Sequence, residues 1–256
     1  MQSYIIGYPL NNPRSVKLWR NFFRVNKMDI KMDPLSVRPE FLNSTILKLK
    51  KNENFIASAI TMPYKKIITN YSIYGNKLTK EVKSSNLIIR NKNNLICYNT
   101  DIEAALKSLP NRNFENIMIF GYGGVGEPLF KILYKKFNKS KFFVISKKNI
   151  KFSRRVNLVR KINENFFKKI ELFINCSPLG SNLKKNFLNR SPINFNILKK
   201  HNKKLFVFDI VYKPYKTLLS VYCKKLGIAY KNGYEMNSLQ ANIALKLVKK
   251  KYLYSK

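Results

Sequence analysis

The chain predicts an α/β protein of two domains, one of them built on a doubly wound parallel sheet. Three observations carry the prediction. Residues 116–128 read NIMIFGYGGVGEP, a buried strand running into a glycine-rich turn and then a helix. Further short apolar strands, at residues 142–145, 172–175 and 205–210, alternate with helical stretches, the pattern of parallel β-α-β units. A length of 256 residues at 45% hydrophobic content suffices for two ordinary domains with full cores.

The strand at the centre is residues 117–120, and Gly121, Gly123 and Gly126 follow it as G-x-G-x-x-G. The first glycine permits the tight turn, the second lets backbone approach a pyrophosphate, and the third lets the helix pack close to the strand. The helix N-terminus then offers N–H groups and partial positive charge to a diphosphate. A glycine-rich corner without ligand is the bland alternative, and both flanking contexts weigh against it. About twenty residues past the glycines, where an NAD site carries an acid for the ribose 2′-hydroxyl, stand Ser146, Lys147 and Lys148, with Lys151 one turn later. These basic residues favour NADP.

A net charge of +37 invites a nucleic-acid reading. The lysines are scattered from end to end, with no basic arm and no aromatic-basic binding module, so only weak, salt-sensitive adhesion to polyanions is expected. Asparagine and isoleucine are abundant beside lysine, which a coding bias would explain. Cys97, Cys176 and Cys223 are too far apart for a C-x-x-C pair; they make neither a disulfide framework nor a metal site and suit a reducing cytoplasm. The start runs straight into YIIGYPL without a secretory pattern, and no apolar run reaches the length of a membrane span. The lone histidine, His201, lies in a lysine-rich stretch and reads as a solvated surface residue. Acid–base chemistry must then use other groups.

In chain order, residues 4–6 predict a strand ending at Gly7, followed by a loop through Pro9, Asn11, Asn12 and Pro13. From Ser15 the residues Leu18, Trp19, Phe22, Phe23 and Val25 keep close to helical spacing, with Ser15 read as the cap. Residues 29–37 read as extended and residues 39–49 as a helix. Residues 55–60 form a strand ended by Thr61 and Pro63, after which Lys65 and Lys66 open a helix. One lysine means little in this chain, but a strand end is where loops gather function. Residues 86–89 and 95–98 predict two short strands about a turn, then Thr100 and Asp101 before the helical IEAALKSL. Thr100 and Asp101 read most simply as an N-cap, although thirteen acidic residues in all make each carboxylate stand out. Residues 236–252 predict a closing helix with Leu239, Ile243, Leu247 and Val248 on one face and Gln240 near its entry.

Seven stretches between Tyr4 and Val248, in one order, resemble the shikimate dehydrogenase family. GYPLNNPRS resembles its G-x-P-I-x-H-S-x-S, AITMPYK its N-V-T-x-P-x-K, and YNTD its G-x-N-T-D. GYGGVG stands for G-A-G-G-A-x, INCSPLG for I-N-A-T-P-x-G, DIVYKPYKTLL for D-x-x-Y-x-P-x-x-T-x-L-L, and GYEMNSLQA for G-x-x-M-L-x-x-Q-A. The resemblance implies reversible reduction of 3-dehydroshikimate to shikimate by NADPH, on the route to aromatic amino acids. It implies Lys65 as catalytic lysine with Asp101 as carboxylate partner, and Ser15, Thr61, Asn86, Tyr212 and Gln240 around the substrate. Gly121, Gly123, Gly124, Lys147 and Lys151 would hold NADP, with Gly233 near the nicotinamide. Residues 1–101 with 236–256 would form the substrate-binding domain and residues 102–235 a Rossmann-like NADP domain. The partner implied is a small molecule, with no membrane and no specific nucleic acid, in a monomer or homodimer.

An ammonium beside a carboxylate supplies a positioned proton and a compensating charge without histidine. The chain departs from the family at Asn12 for histidine, Pro13 for the first serine of S-x-S, Ala59 for asparagine and Leu87 for threonine. Loss of one hydrogen bond to a charged group costs about 1.5–3 kcal/mol, so a raised KM is expected before loss of activity. Two rivals follow: a quinate/shikimate dehydrogenase with relaxed choice, and an eroded relative that binds nucleotide or polyanion without turnover.

Overall fold

The computed structural model describes residues 1–11, 13–147, 150 and 154–254. The chain divides into two compact units, Met1–Ala104 with Leu239–Lys256, and Ala105–Ser238. The chain passes from one unit to the other within two helices, Thr100–Ser108 and Gly233–Leu253.

The first unit runs β1 (Gln2–Gly7), α1 (Arg14–Val25), β2 (Lys31–Ser36), α2 (Leu42–Lys51), β3 (Phe55–Ile60), β4 (Ile73–Tyr74), α3 (Lys77–Val82), β5 (Leu87–Asn91), β6 (Asn94–Tyr98) and α4 (Thr100–Ser108). Its sheet has the order β2-β1-β3-β5-β6-β4. The β1–β2, β1–β3 and β4–β6 pairs are parallel, while β5 runs antiparallel to β3 and β6. Helical spacing on α1 buries Trp19 and Phe23, which meet edge-on at 5.9 Å, against Ile5, Met32 and Ile56 of the sheet. Ala244, Leu245 and Val248 of the closing helix join the same core. On the other side Ile46 and Leu49 of α2 pack with Ile6, Phe55, Ile68 and Ile88. With both faces covered, β3 (FIASAI) is buried along nearly its whole length and β5 opens on the buried run Leu87, Ile88 and Ile89.

The second unit continues with β7 (Asn116–Phe120), α5 (Gly126–Lys136), β8 (Lys141–Ile145), β9 (Val156–Val159), α6 (Glu164–Phe167), β10 (Leu172–Asn175), α7 (Lys185–Leu188), α8 (Phe195–Lys199), β11 (Phe206–Asp209), α9 (Leu218–Lys225), β12 (Ala229–Asn232) and the start of α10 (Gly233–Leu253). All five strand pairings are parallel, in the order β12-β11-β10-β7-β8-β9. Strand order reverses at β7 and β10, the switch point where a doubly wound sheet opens its crevice. Phe130 of α5 stands edge-on to Phe142 at 5.5 Å on one face, and Phe167, Ile170 and Leu198 cover Phe173 on the other.

Three local expectations are corrected. Ser15 does not cap α1: Pro13 occupies the N-cap with no side-chain bond, and Ser15 lies inside the first turn. Lys65 and Lys66 do not open an α-helix; they close a turn ahead of a short 3-10 helix, Ile67–Tyr71. His201 is half-buried, with Nδ1 3.1 Å from the Leu198 carbonyl at the end of α8.

Candidate active site

Lys65 is fixed by what surrounds it. Tyr64 is buried and its hydroxyl donates to the Val37 carbonyl, while Ile68 is buried one turn later. The Ser85 N–H donates to the Lys65 carbonyl at 2.6 Å. With its neighbours sunk into the core, the Lys65 side chain is left to reach Asp101, Nζ to Oδ2 2.7 Å. Both side chains are mostly shielded, at 20% and 14% exposure, so this charge-assisted bond is weakened little by solvent.

The N-cap reading of Thr100 and Asp101 is also corrected, since the buried Asn99 accepts from Ile102 N–H at 3.0 Å and so takes the capping role. Asp101 in the first turn of α4 is thereby left for Lys65, at the end of the helix where negative charge is favoured. Thr100 joins a second cluster. Asn86 Nδ2 donates to Thr100 Oγ1 at 2.8 Å and to Gln240 Oε1 at 3.2 Å, and Thr100 N–H donates back to Asn86 Oδ1 at 2.7 Å. Asn86 reaches this place because β5 pairs with β6, its own N–H bonding Tyr98. Thr100 is a site neighbour the sequence reading did not single out.

Ser15 and Thr61 are half-buried, and among the described residues neither hydroxyl bonds to that cluster. Thr61 follows β3 directly, its N–H bonding Ile6, and Gly7 is needed beside it: a Cβ there would lie 2.4 Å from Thr61 Cγ2. Asn12 lies outside the described residues.

In the second unit, Gly121 sits at φ +100°, a conformation that favours glycine. A Cβ on Gly126 would meet the Gly121 carbonyl oxygen at 2.0 Å, so this glycine lets α5 start against the turn. Gly126→Ala is therefore expected to destabilise the protein by about 1–3 kcal/mol, read as a lower urea midpoint. Gly123 and Gly124 have no atom within 4 Å of the place a Cβ would take. That open space fits a diphosphate brought against bare backbone. Gly233 is buried with its Cβ position 2.1 Å from the Ile210 carbonyl oxygen, so packing alone requires glycine there. Tyr212 is half-buried beyond β11.

Lys147 is exposed just past β8, and Lys151 lies outside the described residues. The structure adds Arg160 at the end of β9, whose Nη1 donates to the Ser146 carbonyl at 3.1 Å. It lines a cavity of about 280 Å³ with Phe120, Ile145, Lys161, Ile162 and Ile193. A larger cavity of about 640 Å³, lined by Arg112, Phe114, Lys136 and Glu171, holds none of the predicted site residues.

A sheet wound outward from a glycine turn at its switch point, in one chain with a mixed sheet that carries a shielded lysine–carboxylate pair, defines a two-unit α/β protein of the dinucleotide-binding type. Residues 5–88 match the model of the shikimate dehydrogenase substrate binding domain. The resemblance read from the seven motifs extends well beyond those residues. Shikimate dehydrogenase (NADP(+)) of Clostridium botulinum (strain Loch Maree / Type A3) is 27% identical over 251 residues, 95% of this chain and 94% of the relative. The fold is that of the shikimate dehydrogenase from Aquifex aeolicus, at TM-score 0.79 and 21% identity over 100% of this chain and 97% of the other. It also matches shikimate 5-dehydrogenase from Listeria monocytogenes in complex with shikimate and NAD, at TM-score 0.80 and 18% identity over 99% and 94%.

Proposed function

We propose that this chain is a shikimate dehydrogenase, interconverting 3-dehydroshikimate and shikimate with NADP in the biosynthesis of aromatic amino acids. The observation that carries the reading is the 2.7 Å bond between Lys65 and Asp101, whose residues stand at the motif positions of the family's acid–base pair. In the reducing direction Lys65 Nζ donates a proton to the oxygen of the reacting carbonyl; in the oxidising direction it takes that proton back. Asp101 Oδ2 orients the ammonium and compensates its charge. Ser15, Thr61, Asn86, Tyr212 and Gln240 bind the substrate's carboxylate and hydroxyls, and the Asn86–Thr100–Gln240 bonds hold two of these groups in place before substrate arrives. A pocket of such groups rejects analogues that lack a hydroxyl. NADPH supplies the hydride when bound.

The first unit is the substrate-binding domain and the second the NADP domain. Gly121, Gly123 and Gly124 hold the diphosphate, and Lys147, Lys151 and Arg160 meet the 2′-phosphate, with Gly233 toward the nicotinamide. Arg160 enters because it is a guanidinium, suited to phosphate, tied to the residue at which the ribose 2′ position is read. Arg160→Glu is expected to raise the KM for NADP by about 10- to 100-fold while changing that for NAD far less. Equal changes for both cofactors would remove Arg160 from the 2′-phosphate site. We place the protein in the cytoplasm, a reading supported by three cysteines that carry no disulfide. No helix among the described residues is long and apolar enough to cross a membrane.

Pro13 favours one alternative, a quinate/shikimate dehydrogenase with relaxed choice, because the first hydroxyl of the S-x-S pair is missing. Initial rates with shikimate or quinate and NADP or NAD, in four combinations, separate the readings. Reduction of NADP by shikimate at the highest kcat/KM is the outcome expected. Comparable rates with quinate would select the alternative, and no rate in any combination from folded protein would leave a nucleotide-binding relative without turnover.

A further inference from the structure

One of the thirteen carboxylates is fully buried and takes no part in the proposed chemistry. Asp209, the last residue of β11, has 0% exposure. Four donors surround it: Asn175 Nδ2 at 2.9 Å and Val211 N–H at 3.1 Å on Oδ1, Thr217 Oγ1 at 3.1 Å and Tyr230 OH at 3.2 Å on Oδ2. In a chain of net charge +37 all four are neutral, so among the described residues the carboxylate is held by dipoles and not by a cation. Burial pushes its pKa up to about 6 in spite of them.

These donors come from separate segments, and each leads to a part of the carboxyl edge of the second sheet. Asn175 ends β10, and its Oδ1 accepts from Ser177 N–H at 3.0 Å. Ser177 N lies 2.9 Å from the position a Cβ would take on Gly121, so this loop backs the glycine turn. Val211 precedes Tyr212, and its carbonyl accepts from Gly233 N–H at 3.1 Å. Thr217 caps α9 through Ser220 N–H and lies against Gly180, while Asn182 N–H bonds the Lys213 carbonyl at 3.1 Å. The loops after β10 and β11 are thus stitched together, and the carboxylate is the point at which the stitches meet.

We propose that Asp209 is a positioning residue, whose buried carboxylate sets the loops at residues 176–181 and 210–217 for dinucleotide and for Tyr212. The proposal rests on the function proposed above. Only the ionised group accepts from all four donors at once; once protonated, it keeps its place only if the Thr217 or Tyr230 hydroxyl turns to accept from it, and the charge that holds the four donors is lost. The titratable groups facing it are Tyr230 of β12, Cys176 after β10 and Cys223 of α9, each pushed up by burial and so neutral near pH 6. Among the groups facing this site, the one that changes charge near that pH is therefore Asp209.

Asp209→Asn tests this. Asn175 and Val211 keep an oxygen to donate to, and the Thr217 and Tyr230 hydroxyls can turn to accept from the new amide, so the fold is retained while the charge is lost. At pH 7.5 the variant is expected to show faster amide hydrogen exchange at residues 176–181 and 210–217, with residues 126–136 unchanged. The KM for NADP and for shikimate should rise about tenfold, with kcat within twofold of wild type. Wild-type KM should rise as pH falls through about 6, a limb absent from Asp209→Asn. Tyr230→Phe, which removes one donor from Oδ2, should move that limb to higher pH, and it decides the matter if Asp209→Asn does not fold. Exchange and both KM values at wild-type levels would overturn the proposal. Wild-type protein that does not oxidise shikimate with NADP would instead refute the function, while exchange at the two loops would still judge the role of Asp209.

Discussion

Lys65→Ala is expected to lower kcat for shikimate oxidation by about 10²- to 10⁴-fold, the range a positioned acid–base group contributes. Binding of NADP should be unchanged, because the glycine turn lies in the other compact unit. Lys65→Arg is expected to do little better: a guanidinium keeps the charge and can pair with Asp101, yet it does not give up or take back a proton in this range of pH. The arginine variant thus separates charge compensation from proton transfer. Fold is not at issue in either variant, since Tyr64, Ile68 and the Ser85–Lys65 backbone bond hold this turn without the lysine side chain. Steady-state rates beside NADP titration by protein fluorescence check both expectations, and a Lys65→Ala enzyme within tenfold of wild type would remove Lys65 from the chemistry.

Pro13→Ser carries the second large effect. A hydroxyl restored at this position should lower the KM for shikimate by about 10- to 150-fold, the equivalent of about 1.5–3 kcal/mol for a hydrogen bond to a charged group. The structure adds a second consequence. Pro13 is the N-cap of α1 and offers no side-chain acceptor, whereas serine is among the preferred caps. A new cap contributes about 1 kcal/mol, and the loss of proline rigidity in the unfolded chain offsets about 0.4–1 kcal/mol of it. Stability should accordingly change little while KM falls. A thermal melt beside a substrate titration distinguishes this from a variant improved only by capping, in which the melting temperature would rise and KM stay where it was.

The parts of the protein legible in the sequence were those written in local patterns. The glycine turn after β7 showed because strand, glycines and helix are consecutive, and the sequence pointed to Lys65 and Asp101 through the motifs AITMPYK and YNTD, which reach past β3 and β6. Thr100 did not, because a threonine ahead of a helix reads as a cap, and only the structure assigns that role to Asn99. Asp209 stood in a motif, yet its burial depends on Asn175 and Tyr230, 34 and 21 residues away in sequence. Arg160 had no contrast in a chain so rich in lysine, and its closeness to Ser146 arises from the pairing of β8 with β9. Helices α7 and α8, of 4 and 5 residues, are too short to show a 3.6-residue period, and β12, AYKN, lacks an apolar alternation.

The most direct test of the account is the absorbance of reduced nicotinamide when purified protein meets shikimate and NADP, with Lys65→Ala measured beside it. The account expects NADP to be reduced by the wild-type protein and the signal to fall at least a hundredfold in the variant. Equal rates from the two would contradict the assignment of Lys65, and no reduction by folded wild-type protein would contradict the reaction itself.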